Sequence, residues 1–401
     1  VASVRPASAT GRPGNMDNLA FAASPCGRLI RTRTGYDAFV PDYLPPALSW
    51  DSAVTASLES AATRLGQLHG YCCAAGDAVG SLLLAKDAVT AICADGRPIT
   101  SSGYFRALAT GESNPAVRLV AGYVAAFEHG CQRIAEFPLS LRLLRELHFA
   151  LSHDVMDPRL TPGQFRTSQN WLGSPGCTLS NATFVPPPAT EMWPLLDNWE
   201  RFLHKSDDLP GLIRLSLVHL QYLIIHPFLE MNILTGSLLA GLMLPHLGLT
   251  STPMPVLGQW LGRSAPTLQS RMLDVCARGC WEEWLCWYLH GLADAATATL
   301  DCAGQLLAAA HARDDRANRE AWGDDTKAMA RIQLQQPVMT VAAAARRSEL
   351  TETEAAATLE HLASLGLATC ETISDAATYA AEDILAALEP GSPDAYHRLA
   401  F

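Results

Sequence analysis

This sequence is short of charge, of strand-like alternation, of paired cysteine motifs and of long apolar runs. Lys, Arg, Asp and Glu make up only 17% of its 401 residues, and acids outnumber bases enough to leave a net charge of −11. Binding that works by neutralising phosphates needs the opposite balance, so nucleic acid is not expected as a partner. No apolar run is long enough to span a bilayer, and no membrane is expected either. The eleven cysteines are odd in number and scattered: Cys72 and Cys73 are adjacent, Cys276 and Cys280 are helix-spaced, and no C-x-x-C clusters pair up. That pattern fits reduced thiols in a cytoplasmic protein rather than disulfides or a zinc site, so no metal is expected. The first fifteen residues carry two Arg and no apolar core. They read as the start of a disordered leader, 1–25, not as a signal peptide.

What is present is helical periodicity, in a chain that is 49% hydrophobic. "WDSAVTASLESAATRLGQLHGYC", "AVRLVAGYVAAFEHGCQRI", "LSLRLLRELHFALS", "PLLDNWERFLHK", "GLIRLSLVHLQYLII" and "CWEEWLCWYLHGLADAATATLDCAGQLLAAA" repeat apolar residues every three or four positions, predicting amphipathic helices. Between them lies "DPRLTPGQFRTSQNWLGSPGCTLSNATFVPPPAT", a stretch without helical period; loops of that length are usually functional or disordered. The spacing predicts an all-α protein with an N-terminal helical region over 26–110, a core domain over 111–312, and a linker plus C-terminal module over 313–401. That module reads as two short helices and a β-leaning end, a winged-helix pattern. Residues 348–397 hold no Lys or Arg and ten Asp or Glu, which removes the phosphate contacts a DNA reader needs. A packing or dimerisation role, with a homodimer as one outcome, is the expectation there.

The candidate site is "IIHPFLEMNILTGSLLAGL". Pro227 stops a helix, leaving His226 at its end, where a histidine is placed to act as a base toward a cleft. Glu230 and Asn232 follow in a turn whose next helix presents backbone N–H groups of the kind that favour anions. The stretch resembles the motif of the Fic family, whose members mostly transfer AMP from ATP to protein hydroxyls. His226, Pro227, Phe228, Glu230, Asn232 and Gly236 match its pattern, while Met231, Ile233, Leu234 and Ser237 stand at its two other glycine and two arginine positions. "YDAFVPDYLPP", "PGQFRTSQNWLG", "ATFVPPP" and "LVHLQYLIIHPF" extend the likeness over roughly residues 30–380, in the family's order. The resemblance implies a Fic-like helical core. It also implies a flap at Phe184 and Val185 that positions the target, and a histidine that deprotonates the target hydroxyl.

The departures imply a changed chemistry. Met or Ile in place of Gly puts side chains where a backbone must approach phosphate and where φ > 0 is favoured only for Gly. Leu in place of Arg removes charge-assisted contacts of roughly 1.5–3 kcal/mol each. In "KDAVTAICADGR", Ala91, Asp95 and Gly96 stand where the family's inhibitory helix carries Ser, Glu and Gly, so the switch is altered along with the grip. Efficient ATP-dependent AMP transfer is therefore not expected, and no cofactor is expected. The expected function is a diverged enzyme, in bacterial specialised metabolism for instance, with His226 as acid/base on a small-molecule or peptide substrate. Glu230, Asn232, Met231, Ile233, Leu234, Phe184, Val185, Arg166, Gln169 and Asn170 are the expected substrate contacts. A catalytically dead scaffold that binds a protein through the flap is the alternative. So is a residual nucleotidyl transferase whose phosphate grip comes from Arg166 or Arg263.

Overall fold

The computed structural model describes residues 18–389, apart from residues 76, 175 and 374. A short helix α1 (Asn18–Ala22) precedes a two-stranded antiparallel sheet of β1 (Gly27–Arg31) and β2 (Asp37–Pro41). The expected leader over 1–25 is thus too long, because Phe21 of α1 is buried with its ring 5.5 Å from Phe39 and 5.9 Å from Phe184. Residues 1–17 lie outside the described ones. Helices α2 (Ser52–Ala75), α3 (Asp77–Ala94), α4 (Ser101–Thr110), α5 (Pro115–Glu136) and α6 (Leu141–Ser152) follow. After the long irregular segment come α7 (Ala189–Leu203), α8 (Gly211–Ile225), α9 (Asn232–His246), α10 (Gly258–Arg278) and α11 (Trp281–Arg319). The helices start where the sequence supplies caps. Thr100 accepts from Gly103 N at 2.9 Å, Asn114 accepts from Val117 N at 2.9 Å just before Pro115, and Ser140 accepts from Leu143 N at 3.3 Å.

Helix α8 differs from its expected amphipathic character. Every residue from Leu212 to Ile225 is buried, so it is a central helix with neighbours all round. Two of its polar side chains find partners on α11: Ser216 Oγ accepts from Trp284 Nε1 at 2.9 Å, and His219 Nδ1 lies 2.9 Å from Tyr288 Oη. Helix α9 is almost as fully buried. The loop joining α8 to α9, residues 226–231, is therefore carried by the two most deeply packed helices, which fixes its ends.

The C-terminal module holds α12 (Asp324–Gln333), β3 (Val338–Thr340), α13 (Val341–Ser348), α14 (Glu352–Ser364), β4 (Thr369–Ile373), β5 (Ala376–Ala380) and α15 (Glu382–Leu388), with strand order β3-β5-β4. The boundary expected at residue 313 falls inside α11, and no flexible linker lies there. Arg313 is buried and donates to Asp383 Oδ2 at 2.9 Å, Gln333 Oε1 at 2.9 Å and Leu367 O at 2.9 Å. Arg106 of α4 also bonds Glu371 and Glu382, each at 2.7 Å. Ile384, Leu385 and Leu388 of α15 join the main hydrophobic core. Three of the module's acids, Glu371, Glu382 and Asp383, thus pair with arginines of the helical body. Among the described residues no helix is long and apolar enough to cross a membrane.

Candidate functional site

His226 caps α8 in the left-handed conformation, with φ 50° and ψ 62°. A non-glycine residue there costs on the order of 1 kcal/mol and persists only where its surroundings impose it. Here the constraint is visible. His226 N donates to Tyr222 O at 2.9 Å, while its carbonyl accepts from Arg166 Nε at 2.8 Å and Asn170 Nδ2 at 3.3 Å. The imidazole Nδ1 lies 3.3 Å from Leu223 O. Burial, with a smaller contribution from the Arg166 guanidinium, pushes the ring's pKa down to about 4. The ring is therefore neutral at pH 7. With Nδ1–H donated to Leu223 O, the lone pair sits on Nε2, which makes that atom a proton acceptor.

His226 stands on the wall of a cavity of about 730 Å³ between the end of α8, the segment around residue 172 and the face of α10. Leu172, Leu223, Ile233, Leu268, Met272 and Leu273 supply its apolar surface. Ser174, Thr183, Gln269, Ser270 and Asp274 supply polar points, and Asp274 bonds Arg278 at 2.6 Å. No Lys or Arg side chain lines it among the described residues.

Most of the other expected contacts point elsewhere. Arg166 is buried and uses its guanidinium on backbone carbonyls: His226 O, Ser168 O at 3.2 Å, Pro187 O at 2.6 Å and Ile225 O at 3.2 Å. With its donors committed to the chain, it is a staple for the loop and not a phosphate ligand. Gln169 bridges Asn170 O and Pro186 O, each at 2.9 Å, and accepts from Tyr36 Oη at 3.1 Å. Asn170 donates to Phe228 O at 2.8 Å. Asn232 holds Phe228 from both sides, accepting from its N–H at 3.0 Å and donating to its carbonyl at 2.9 Å. Phe184 is fully buried among Phe21 and Phe39, and Val185 packs on Ala38 and Ala182. Neither faces the cavity. Glu230 is exposed outside it and contributes its carbonyl, which lies 3.3 Å from His148 Nε2. The Arg263 side chain lies outside the described residues.

The second half of the segment, residues 231–237, is filled rather than open. Met231 adopts φ 57°, the conformation that glycine takes without strain, and packs against the core. Ile233 reaches the cavity, while Leu234 is buried. Ile233, Leu234 and Ser237 enclose, with Ala91, Asp95 and Leu261, a void of only about 30 Å³. Ser237 Oγ lies 2.6 Å from Tyr123 Oη, which donates to Asp87 Oδ2 at 3.0 Å. A buried hydrogen-bonded chain thus occupies the place where the family resemblance implies an arginine. Asp95 pairs with Arg97. Among the described residues no group of three or more His, Cys, Asp or Glu is arranged to hold a metal ion.

Two contributors were not anticipated. His148 stacks on Phe228 at 3.8 Å and 8°, accepts from Gly163 N at 2.8 Å, and is pushed by burial to about 4. Leu268, Met272 and Leu273 of α10 form the far wall; their helical spacing is readable, but not which helix they face.

The fold and this loop define an all-α, Fic-like protein. Residues 138–244, from α6 nearly to the end of α9, match the Fic/DOC family model. A solved Fic family protein from Desulfovibrio desulfuricans superimposes with a TM-score of 0.52 at 13% identity, covering 84% of this chain and 98% of that one. A Fic domain containing signaling protein from Bacteroides thetaiotaomicron gives 0.50 at 16% identity, covering 62% of this chain and 97% of its own. At such identities the likeness concerns the fold alone.

Proposed function

We propose that this protein is a Fic-fold enzyme diverged from nucleotide transfer, in which His226 Nε2 takes a proton from a substrate lodged in the adjoining cavity. One observation carries the reading. A strained histidine is held by backbone bonds on the wall of a 730 Å³ space, with its Nδ1 engaged and its Nε2 left as the acceptor. A neutral imidazole in hydrogen-bond reach of an O–H or N–H is the ordinary arrangement of a general base, worth roughly 10²–10⁴ in rate. ATP is not the expected ligand, because the phosphate end is packed with Leu234 and the Ser237 chain. The Arg166 grip suggested for a residual transferase is spent on carbonyls.

The alternative is non-catalytic binding of a protein at the surface beside the flap, where Trp171 and Trp193 are 39% and 54% exposed. We read the C-terminal module as a winged-helix-like packing unit that does not contact nucleic acid, since residues 348–397 hold ten acids and no Lys or Arg, and three of those acids pair with Arg106 and Arg313 of the helical body. A cytoplasmic location and a homodimer remain part of the same reading.

Calorimetric titration with ATP and Mg²⁺, beside other nucleoside triphosphates, tests it. Heat that fails to saturate into the millimolar range is the expected result. Saturable micromolar binding would return nucleotide transfer to first place. In ¹⁵N spectra of the imidazoles, His226 is expected as the Nδ1–H tautomer from pH 7 down to about 5; a protonated ring at pH 7 contradicts the base.

A further inference from the structure

The flap segment Phe184 to Pro187 is buried, and its four carbonyls each accept a hydrogen bond. The carbonyl of Phe184 accepts from Leu172 N at 2.8 Å, and that of Val185 from Phe39 N at 2.9 Å. Pro186 O accepts from Gln169 Nε2 at 2.9 Å, and Pro187 O from Arg166 Nη2 at 2.6 Å. On the donor side, Thr183 N and Phe184 N both give to Leu172 O, at 2.8 and 3.1 Å, and three successive prolines have no N–H. An extended peptide binds a strand edge by exchanging main-chain hydrogen bonds with it. From residue 184 to 187 those carbonyls are taken, by strand β2 on one side and by the 166–172 segment on the other.

Charge narrows the ligand from a second direction. The cavity beside His226 has no basic side chain in its described lining, and its one acid, Asp274, is paired with Arg278. An anion would find no counter-charge among the described residues that line it. A cation would have to displace an existing ion pair. The volume of about 730 Å³ lies within the range of small-molecule sites.

We propose that the cavity takes a neutral, largely apolar small molecule bearing a single hydroxyl or amine hydrogen-bond donor, and not an extended protein segment or a nucleotide. The donor meets His226, so this inference rests on the reading of that residue given above. The apolar body lies against Leu268 and Met272 of α10, with Ile233 at the rim. Specificity then comes from the shape of the α10 wall and from one hydrogen bond, the usual division of labour in such sites.

The test uses the full chain and a neutral aromatic alcohol, naphthol, beside its methyl ether, a serine-containing peptide and ATP with Mg²⁺. Naphthol is expected to bind saturably by its own fluorescence, and the ether roughly three- to tenfold more weakly, the worth of one net hydrogen bond. Ile233→Trp, at a position 38% exposed and so tolerant of a larger side chain, is expected to block both while far-UV circular dichroism is unchanged. The peptide and ATP are expected to show no saturation. Absence of naphthol binding, naphthol binding indifferent to Ile233→Trp, or peptide or ATP binding that Ile233→Trp abolishes would each overturn the proposal. Equal binding of alcohol and ether, both blocked by Ile233→Trp, would support the ligand class while overturning His226 as the proton acceptor. His226→Ala is expected to erase the alcohol–ether difference without abolishing binding.

Discussion

The two halves of the segment from His226 to Ser237 are treated in opposite ways. In the first, backbone carbonyls from Ile225 to Glu230 meet polar side chains from Arg166, Asn170, Asn232 and His148. In the second, Met231 and Leu234 join the hydrophobic packing and Ser237 closes a buried hydrogen-bonded chain. One half is held rigid around a histidine; the other has been absorbed into the core. Polar residues near a site are thus no guide by themselves to ligand contact. A short polar side chain serves the loop as readily as it would serve a substrate.

The comparison breaks most visibly at its staples. Arg166→Met removes four bonds to backbone carbonyls, two of them fully buried, and is expected to cost on the order of 4 kcal/mol, read as a shift of the urea midpoint. A loss below about 1 kcal/mol would mean that the loop holds without it. Phe184→Ala is expected to cost about 3–5 kcal/mol, because the ring is core and not a lid over ligand.

Acid should loosen the same frame. His148 and His226 are lowered by burial to about 4 and His219 to about 3, from an ordinary 6.5. Below about pH 6.5 the unfolded chain takes up protons that the folded chain refuses, so stability falls as the pH drops toward these values. The limiting slope is about 1.4 kcal/mol per pH unit for each ring and half of that at pH 6.5, so the three together remove roughly 3 kcal/mol between about pH 6.5 and 5.5. Urea unfolding at two or three pH values measures this, and a flat profile would place these rings in contact with water. Asn232→Ala, which unclamps Phe228, is expected to cost about 2 kcal/mol in the same assay. Ile233→Ala, at the cavity rim, is expected to change stability by less than about 1 kcal/mol. It sharpens the contrast because its effect should appear in ligand affinity alone.

Much of the fold was legible. The period-of-three-or-four runs correspond to α2, α5, α6, α7, α8 and α11. Pro227 ended α8 as a residue without N–H must. The burial of α8 on every side was not legible as such, since its period resembles that of a helix with one apolar face. Nor was the run of α11 through residue 313, where a charged surface looks the same on a linker and on a long helix. Met231 is a middle case. Its position in a glycine slot predicted a positive φ, and the chain adopts it, but only packing shows that the side chain is accommodated.

Sequence by itself determined the class of fold, the place of His226 at a helix end, and the apolar character of Met231, Ile233 and Leu234 in the loop that follows. Each of these depends on residue identity and local spacing, which the chain carries wherever it folds. Tertiary structure alone decided the direction of the side chains. It turned Arg166, Asn170 and Asn232 inward to carbonyls, engaged the carbonyls of "FVPPP", and set α10 opposite His226 to make a cavity. The physical reason is that hydrogen bonds and apolar contacts are satisfied by whichever partner the packed helices bring nearest, and those partners are far away in sequence.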